Sequence, residues 1–420
     1  MAKRSTSTIE IPSVQETVED AQVASRYARL ESLRFPYLSR ARDASALTIP
    51  MLVPPAANNV ATRYPTPYQS LGARGTNNLA SKLLLALLPA NSSFFKYDLD
   101  DATLAQLTDD PSARSKVEEA LGRIERSVRL EVESSGMRIK VFEALKHLIV
   151  AGNVLVHLPP SGGMRIFPIS RYVVCRDPMG NVIEIIVKED ISPLAIPANI
   201  RAEHGVTDPE NPEQKIHIYT RIEWDEEQPD MYEVYQELNG KIIEGSQGTY
   251  PKNLCPWLAL RWMAIENESY GRGFIEEYMG DLKSLEYLRK ALLDGAAAAS
   301  RVLYLLRPNS STNKRKITQA PNGAVVEGNP EDIVALTLDK YADFRTPFEL
   351  ARELEQSLSL AFMLQTSIQR NGERVTAEEI RYMAGELEDG LGGIYSILSQ
   401  EFQLPTVRIL QANMTKARKI

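Results

Sequence analysis

Four histidines (His147, His157, His204, His217) and two cysteines (Cys175, Cys255) are the side chains best suited to metal or nucleophilic chemistry. Their spacing suits neither. No HExxH places two histidines one helical turn apart, and neither cysteine belongs to a CxxC, so no zinc ligand set is visible. Each histidine is expected to be structural, and both cysteines to be small buried apolar groups. No GxxxxGK[ST] is present to cradle phosphates, and no GxSxG to present a nucleophilic serine. Gly271 and Gly273 form only a GxG, with Glu276 where a third glycine would fall. The carboxylate pairs Glu276/Glu277 and Glu378/Glu379 fall at helix starts, where the helix dipole accounts for them. The pattern demands neither an enzyme nor a cofactor.

What remains is charge. Lys and Arg number 48 against 55 Asp and Glu, a formal net charge of −7 that disfavours a simple basic nucleic-acid binder but leaves room for local patches. From Arg221 to Glu237 there are seven acids and one arginine. From Arg301 to Lys316 there are five bases, Lys314, Arg315 and Lys316 among them, and no acid. A solvated face explains either block. The basic one draws attention because it lies between two long helical patterns.

The elements that position these residues follow from periodicity. Residues 1–20 carry no stable apolar period and are expected to form a mobile arm. A helix begins near Ala21 and is limited by Pro36. Helical spacing recurs over Gln69–Leu88, Asp109–Glu133 and Arg138–Val150. After Gly152 come short runs rich in Val, Ile and Tyr, parted by turns such as Met179-Gly180-Asn181 and Asn239-Gly240. The chain turns helical again over Gly273–Ser300 and over Phe348–Ile368, with a β-rich insert between them. A polar loop, Gln369–Val375, then leads to the capping box Thr376-Ala377-Glu378-Glu379. Gly392-Gly393 is a possible kink in the helix that follows.

At 420 residues and 43% hydrophobic composition, the chain is long enough for two or three domains. Its longest apolar run, Leu83–Leu88, is far below the ~20 residues of a membrane span. Met1–Asp20 has no apolar stretch of the kind a secretory signal needs. Two cysteines cannot build a disulfide framework, so a cytosolic, reducing setting is expected.

Several longer strings carry a resemblance. They are Gln69–Leu83 (QSLGARGTNNLASKL), Phe142–Lys146 with Val150–Val154, Glu268–Arg272, Gly280–Leu282, and Gly372–Tyr382 (GERVTAEEIRY). Together they resemble the portal proteins, or head-to-tail connectors, of T-seven-like podoviruses, in co-linear order from about Arg29 to Pro405. The resemblance implies an α+β portal fold with an α/β wing, two long stem helices, a small β-rich clip and a tunnel loop, assembling into a ring usually of twelve copies.

The implied parts are an arm (1–20), a wing (21–270), a first stem helix (271–300) and a clip (301–345). They continue with a second stem helix (346–368), a tunnel loop (369–375), a wing or channel helix (376–404) and the start of a crown (405–420). Family members usually continue well past Pro405, so the crown is expected to be reduced or cut short here. The implied partners are further copies of the chain, double-stranded DNA bound without regard to sequence, a terminase motor, a tail adaptor, the major capsid protein and internal core proteins. No membrane is involved. The implied location is the capsid vertex of the virion, after assembly in the host cytoplasm.

Arg370, Asn371, Gly372, Glu373 and Arg374 would line the narrowest part of the DNA channel. Arg370 and Arg374 would make weak phosphate contacts there, or would be exposed loop arginines or salt-bridge partners between subunits. Lys314, Arg315 and Lys316 would face DNA, an adaptor or the terminase, or simply solvent. Two other readings stay open: an enzyme acting on DNA, and a virion scaffold with no DNA path.

Overall fold

Helix α1 (Val23–Ala46) shows how packing overrides local preference. The sequence expects Pro36 to limit this helix; in the computed structural model the helix runs through Pro36 to Ala46. Pro36 is exposed, and its missing N–H costs about 3 kcal/mol. Leu30, Arg34, Leu38, Ala41 and Ala44 stay buried along one side across it, which offsets that cost. Arg34 anchors the helix from inside. Its Nη1 donates to Tyr27 Oη (3.0 Å) and to the Tyr172 carbonyl (2.8 Å), and its Nη2 to Glu31 (2.7 Å).

The structure describes residues 22–55, 62–89, 93–97, 111–206, 215–225, 227–299, 303–306, 333–336, 345–364 and 393–417, with scattered single positions between 308 and 391. The arm, the tunnel loop and the capping box at Thr376 lie outside them.

Helices α2 (Leu71–Leu87), α3 (Pro111–Ser134) and α4 (Met137–Ala151) follow the expected spans within two or three residues. Leu79, Leu83 and Leu87 of α2 and Val141, Leu145 and Leu148 of α4 enter one core. Strand β1 (Asn153–His157) then pairs antiparallel with both β2 (Arg165–Pro168) and β9 (Trp257–Arg261). Its run of buried residues has a direct cause. Val154 and Val156 face the helical core, while Leu155 faces a second core with Phe167 and Trp257.

The larger sheet has the order β3-β4-β5-β6-β7, from β3 (Tyr172–Arg176), β4 (Val182–Ile191), β5 (Ile216–Trp224), β6 (Met231–Leu238) and β7 (Lys241–Ile242). Strand β8 (Gly248–Pro251) also pairs with β6. The sheet is covered on both faces at β3 and β4. Val173 and Ile186 meet Val23, Tyr27 and Leu30 of α1, while Val174, Ile185 and Val187 meet the second core. Buried-both-sides strands read as continuous apolar runs, as these do. At the β6–β7 hairpin Asn239 (φ 52°) and Gly240 (φ 77°) adopt the left-handed conformation expected of them. Between β4 and β5, α5 (Ala198–Glu203) is a short surface turn of helix.

Past Ser269 the expected long helix over 273–300 divides in two, α6 (Phe274–Glu277) and α7 (Met279–Ala299). Tyr278 (φ −105°, ψ 12°) breaks it, because its ring and that of Phe274 pack on Phe362 from the returning helix. That helix, α8 (Arg345–Ala361), stops well short of the expected Ile368. Between α7 and α8, strands β10 (Leu303–Leu306) and β11 (Ile333–Leu336) pair antiparallel, in keeping with the expected β character of the insert. Leu358 and Phe362 of this segment are buried, but Phe348, Leu350 and Leu360 are exposed. At the C-terminal end, Gly393 (φ 89°) stands at the start of α9 (Ile394–Leu398), so the helix begins afresh there. A π-helical turn (Ser399–Gln403) and α10 (Leu404–Lys416) complete the description.

Candidate functional site

The expected tunnel-loop residues, Arg370 to Arg374, lie outside the described residues, as do Lys314 and Lys316; Arg315 is exposed. The structure does describe how the chain is held just before that loop. Helix α8 ends in a Schellman motif: Leu364 N–H donates to the Ser359 carbonyl (2.8 Å) and Met363 N–H to the Leu360 carbonyl (2.9 Å). The left-handed position of such a motif favours glycine, yet here it is Met363, at φ 52°.

Helix α2 supports this stop. Asn78 Nδ2 donates to the carbonyls of Phe362 (3.0 Å) and Met363 (3.1 Å), and Lys82 Nζ to that of Met363 (3.2 Å). Those carbonyls would otherwise be orphans of the helix end. Gly75, one turn earlier, leaves room for the Phe362 ring: a Cβ there would stand 2.3 Å from it. One face of α2, spaced 75, 78 and 82, is thus a cradle for the end of α8. The start of α2 is tied to α7 as well, since Glu286 accepts the N–H groups of Tyr68 (2.9 Å) and Gln69 (3.1 Å).

A second knot joins the body to α6. Asn153 donates through Nδ2 to the carbonyls of Ala151 (3.0 Å) and Gly271 (2.8 Å), and its Oδ1 accepts from Gly271 N–H (2.7 Å). Gly152 has φ 71°, and a Cβ on it would lie 2.4 Å from the Arg272 carbonyl carbon. Only glycine fits that approach. Arg272 pairs with Glu268 (2.8 Å) and reaches Glu276 (3.5 Å), which also faces Arg40 (3.5 Å). The hydrogen bond from Arg272 holds the Glu268 carboxyl below its usual range. Glu276, placed at a helix start on sequence grounds, is therefore also an ion-pair partner. Across α7 and α8, Arg289 and Glu355 form a further pair.

The histidines are held by packing or hydrogen bonds, and one cysteine differs from expectation. Burial lowers His147 and His157 to about 4, and the His157 ring stacks on Trp257 at 3.7 Å. His204 Nδ1 meets the Leu238 carbonyl (3.0 Å), and His217 Nδ1 meets Asp190 (2.8 Å). Cys255 is buried and its thiol is pushed up to about 12 by that burial. Cys175 is only half-buried, because it stands beside the irregular Cys175/Arg176 register at the end of β3. Among the described residues no three His, Cys, Asp or Glu side chains could hold a metal ion, and no helix is long and apolar enough to cross a membrane.

Asn78, Lys82, Asn153 and Gly271 were not distinguishable by chemistry in the sequence, although all four lie in the strings that carry the resemblance. Their roles need the partner backbone to be seen. What they build is a mechanical part: an antiparallel helix pair knotted at one end to a mixed helix–sheet body.

Comparison with known proteins gives the family. The model of the bacteriophage head-to-tail connecting protein family matches residues 20–420, and the chain belongs to that family. It is 45% identical over 400 residues to the portal protein of Escherichia phage T7, a match covering 94% of this chain and 74% of that protein. It is similarly 44% identical to the portal protein of Enterobacteria phage T3, over 94% of this chain and 74% of the relative. It is 32% identical to that of Enterobacteria phage SP6, over 92% and 74%.

Proposed function

We propose that copies of this chain close into a ring of about twelve subunits at the capsid vertex, through which double-stranded DNA enters during packaging and leaves during ejection. A separate terminase motor supplies the energy, and the ring docks that motor, then a tail adaptor, while seated in the major capsid protein. Internal core proteins fit the opposite end.

The observation that carries this reading is the surface of the helix pair. Tyr287 and Leu293 on α7 and Phe348, Leu350 and Leu360 on α8 are 47–73% exposed in a single chain. Large apolar side chains left exposed on two adjacent helices favour a partner, and each gains roughly 1.5–3 kcal/mol on full burial. In a ring the contact is heterologous, one side of the helix pair meeting a different side of the next copy. Repetition around a ring would also multiply the net charge of −7, giving a wall that repels phosphates and lets DNA slide.

In this reading Arg370 to Arg374 form the narrowest girdle, with Arg370 and Arg374 as weak phosphate contacts and Gly372 as the bend. Lys314, Arg315 and Lys316 belong to the docking end between β10 and β11. The double variant Arg370→Ala/Arg374→Ala should assemble normal rings yet yield severalfold fewer particles that retain full-length DNA. Wild-type retention would remove the arginines from the DNA path.

A further inference from the structure

The body contains a cluster of three cations that, among the described residues, forms no ion pair. Arg176, at the end of β3, donates from Nε to the Ser269 carbonyl (3.1 Å), from Nη1 to that of Gly180 (2.8 Å) and from Nη2 to that of Ala259 (2.6 Å). All three acceptors are neutral. Arg261 converges on the same turn: a Cβ at Gly180 would stand 3.0 Å from its Nη2, and its Nη1 donates to the Glu268 carbonyl at 3.3 Å. Lys252 reaches only Asn181 Oδ1 (3.4 Å) and the face of Trp224. Asp177, close enough to feel Lys252, is turned onto Asn181 by two hydrogen bonds. Among the described residues none of the three cations forms an ion pair.

Burial, with the like charge of Arg261 second, brings Arg176 down to about 10. A buried guanidinium facing another cation is costly unless an anion joins it. There is space for one. Arg176 and Lys252 line a cavity of about 220 Å³ whose other walls include Val182, Ile222, Tyr232 and Trp257. Glu401, on the π-helical turn, stands at the same cavity and is exposed. It feels Arg176 without pairing with it.

We propose that this cavity binds a small organic oxyanion, a short-chain carboxylate. Its charge rests on Arg176 and Lys252 with Arg261 behind, and its apolar body lies against Val182, Ile222 and Trp257. Charged donors and a guanidinium fork suit an oxyanion, while the apolar walls favour one with a carbon body over a bare ion. Glu401 is the protein's own competing carboxylate. The inference stands apart from the ring reading, since every residue in it belongs to one chain.

Calorimetric titration of the full chain tests it, with butyrate, inorganic phosphate and a short DNA duplex as probes and chloride at equal ionic strength as the reference. Butyrate should bind saturably at one per subunit, and more tightly than inorganic phosphate. Lys252→Ala should weaken it about threefold and Arg176→Lys about tenfold, whereas Glu401→Gln should tighten it severalfold. Far-ultraviolet circular dichroism would check that Arg176→Lys folds; Lys252→Ala and Glu401→Gln, both at exposed positions, carry the test if it does not. Butyrate heats no greater than those of chloride would overturn the proposal. So would unchanged affinity in Lys252→Ala and Glu401→Gln, or binding by the duplex alone.

Discussion

Burial at single residues makes this fold sensitive to acid. His147 and His157 are lowered to about 4 from the usual 6.5, mainly because burial disfavours their charged form. The unfolded chain takes up these protons below about pH 6.5, whereas the folded chain resists until about 4. Their stabilising effect is therefore complete above 6.5 and is lost as the pH falls from 6.5 towards 4. Each histidine removes on the order of 1.4 kcal/mol per pH unit across that window. In His157→Gln, urea midpoints measured from pH 7.5 to 4.5 should fall less steeply than in the wild type. Parallel curves would show that His157 does not titrate with unfolding. Below about pH 4.5 a further loss sets in from ion pairs such as Arg272–Glu268, whose carboxylate is held charged to lower pH in the folded state.

At the scale of elements, Pro36 offers a clean test of the account of α1. Because the proline is exposed and the helix continues past it, Pro36→Ala should restore a backbone hydrogen bond without disturbing the buried side. The gain should be about 1–2 kcal/mol, the helix cost of proline less the entropy it removes from the unfolded chain. Chemical denaturation measures it directly, and a loss of stability would mean that the proline sets a bend the packing needs. The same helix shows where sequence reading stops. Periodicity located α2, α4 and the Val/Ile strands because their apolar spacing is local, and Asn239-Gly240 marked its hairpin because both residues tolerate positive φ. It overran α8, since nothing in Phe362-Met363-Leu364 signals a stop. That stop depends on Asn78 and Lys82, nearly three hundred residues away in sequence, which accept no role until the two helices meet. The break at Tyr278 has the same origin, a ring drawn onto Phe362. The recurring strings, by contrast, pointed to the right family without revealing what their residues hold.

For the whole molecule, what counts is which parts share an interior. The helical core runs without interruption from α2 through β1 to α7, α8 and α10, so body and helix pair share one interior. In the proposed ring, the exposed apolar residues of α7 and α8 would be covered between copies. This places the central claim in the assembly, where Tyr287 and Leu293 face outward and can be changed without touching the core. Native mass spectrometry of the purified chain, beside the variant Tyr287→Glu/Leu293→Glu, tests that claim most directly. The wild type should close into a ring of about twelve subunits, and the variant should fold with the same circular dichroism but stay smaller than the ring. A wild-type monomer or dimer, or a variant that still closes the ring, would contradict it.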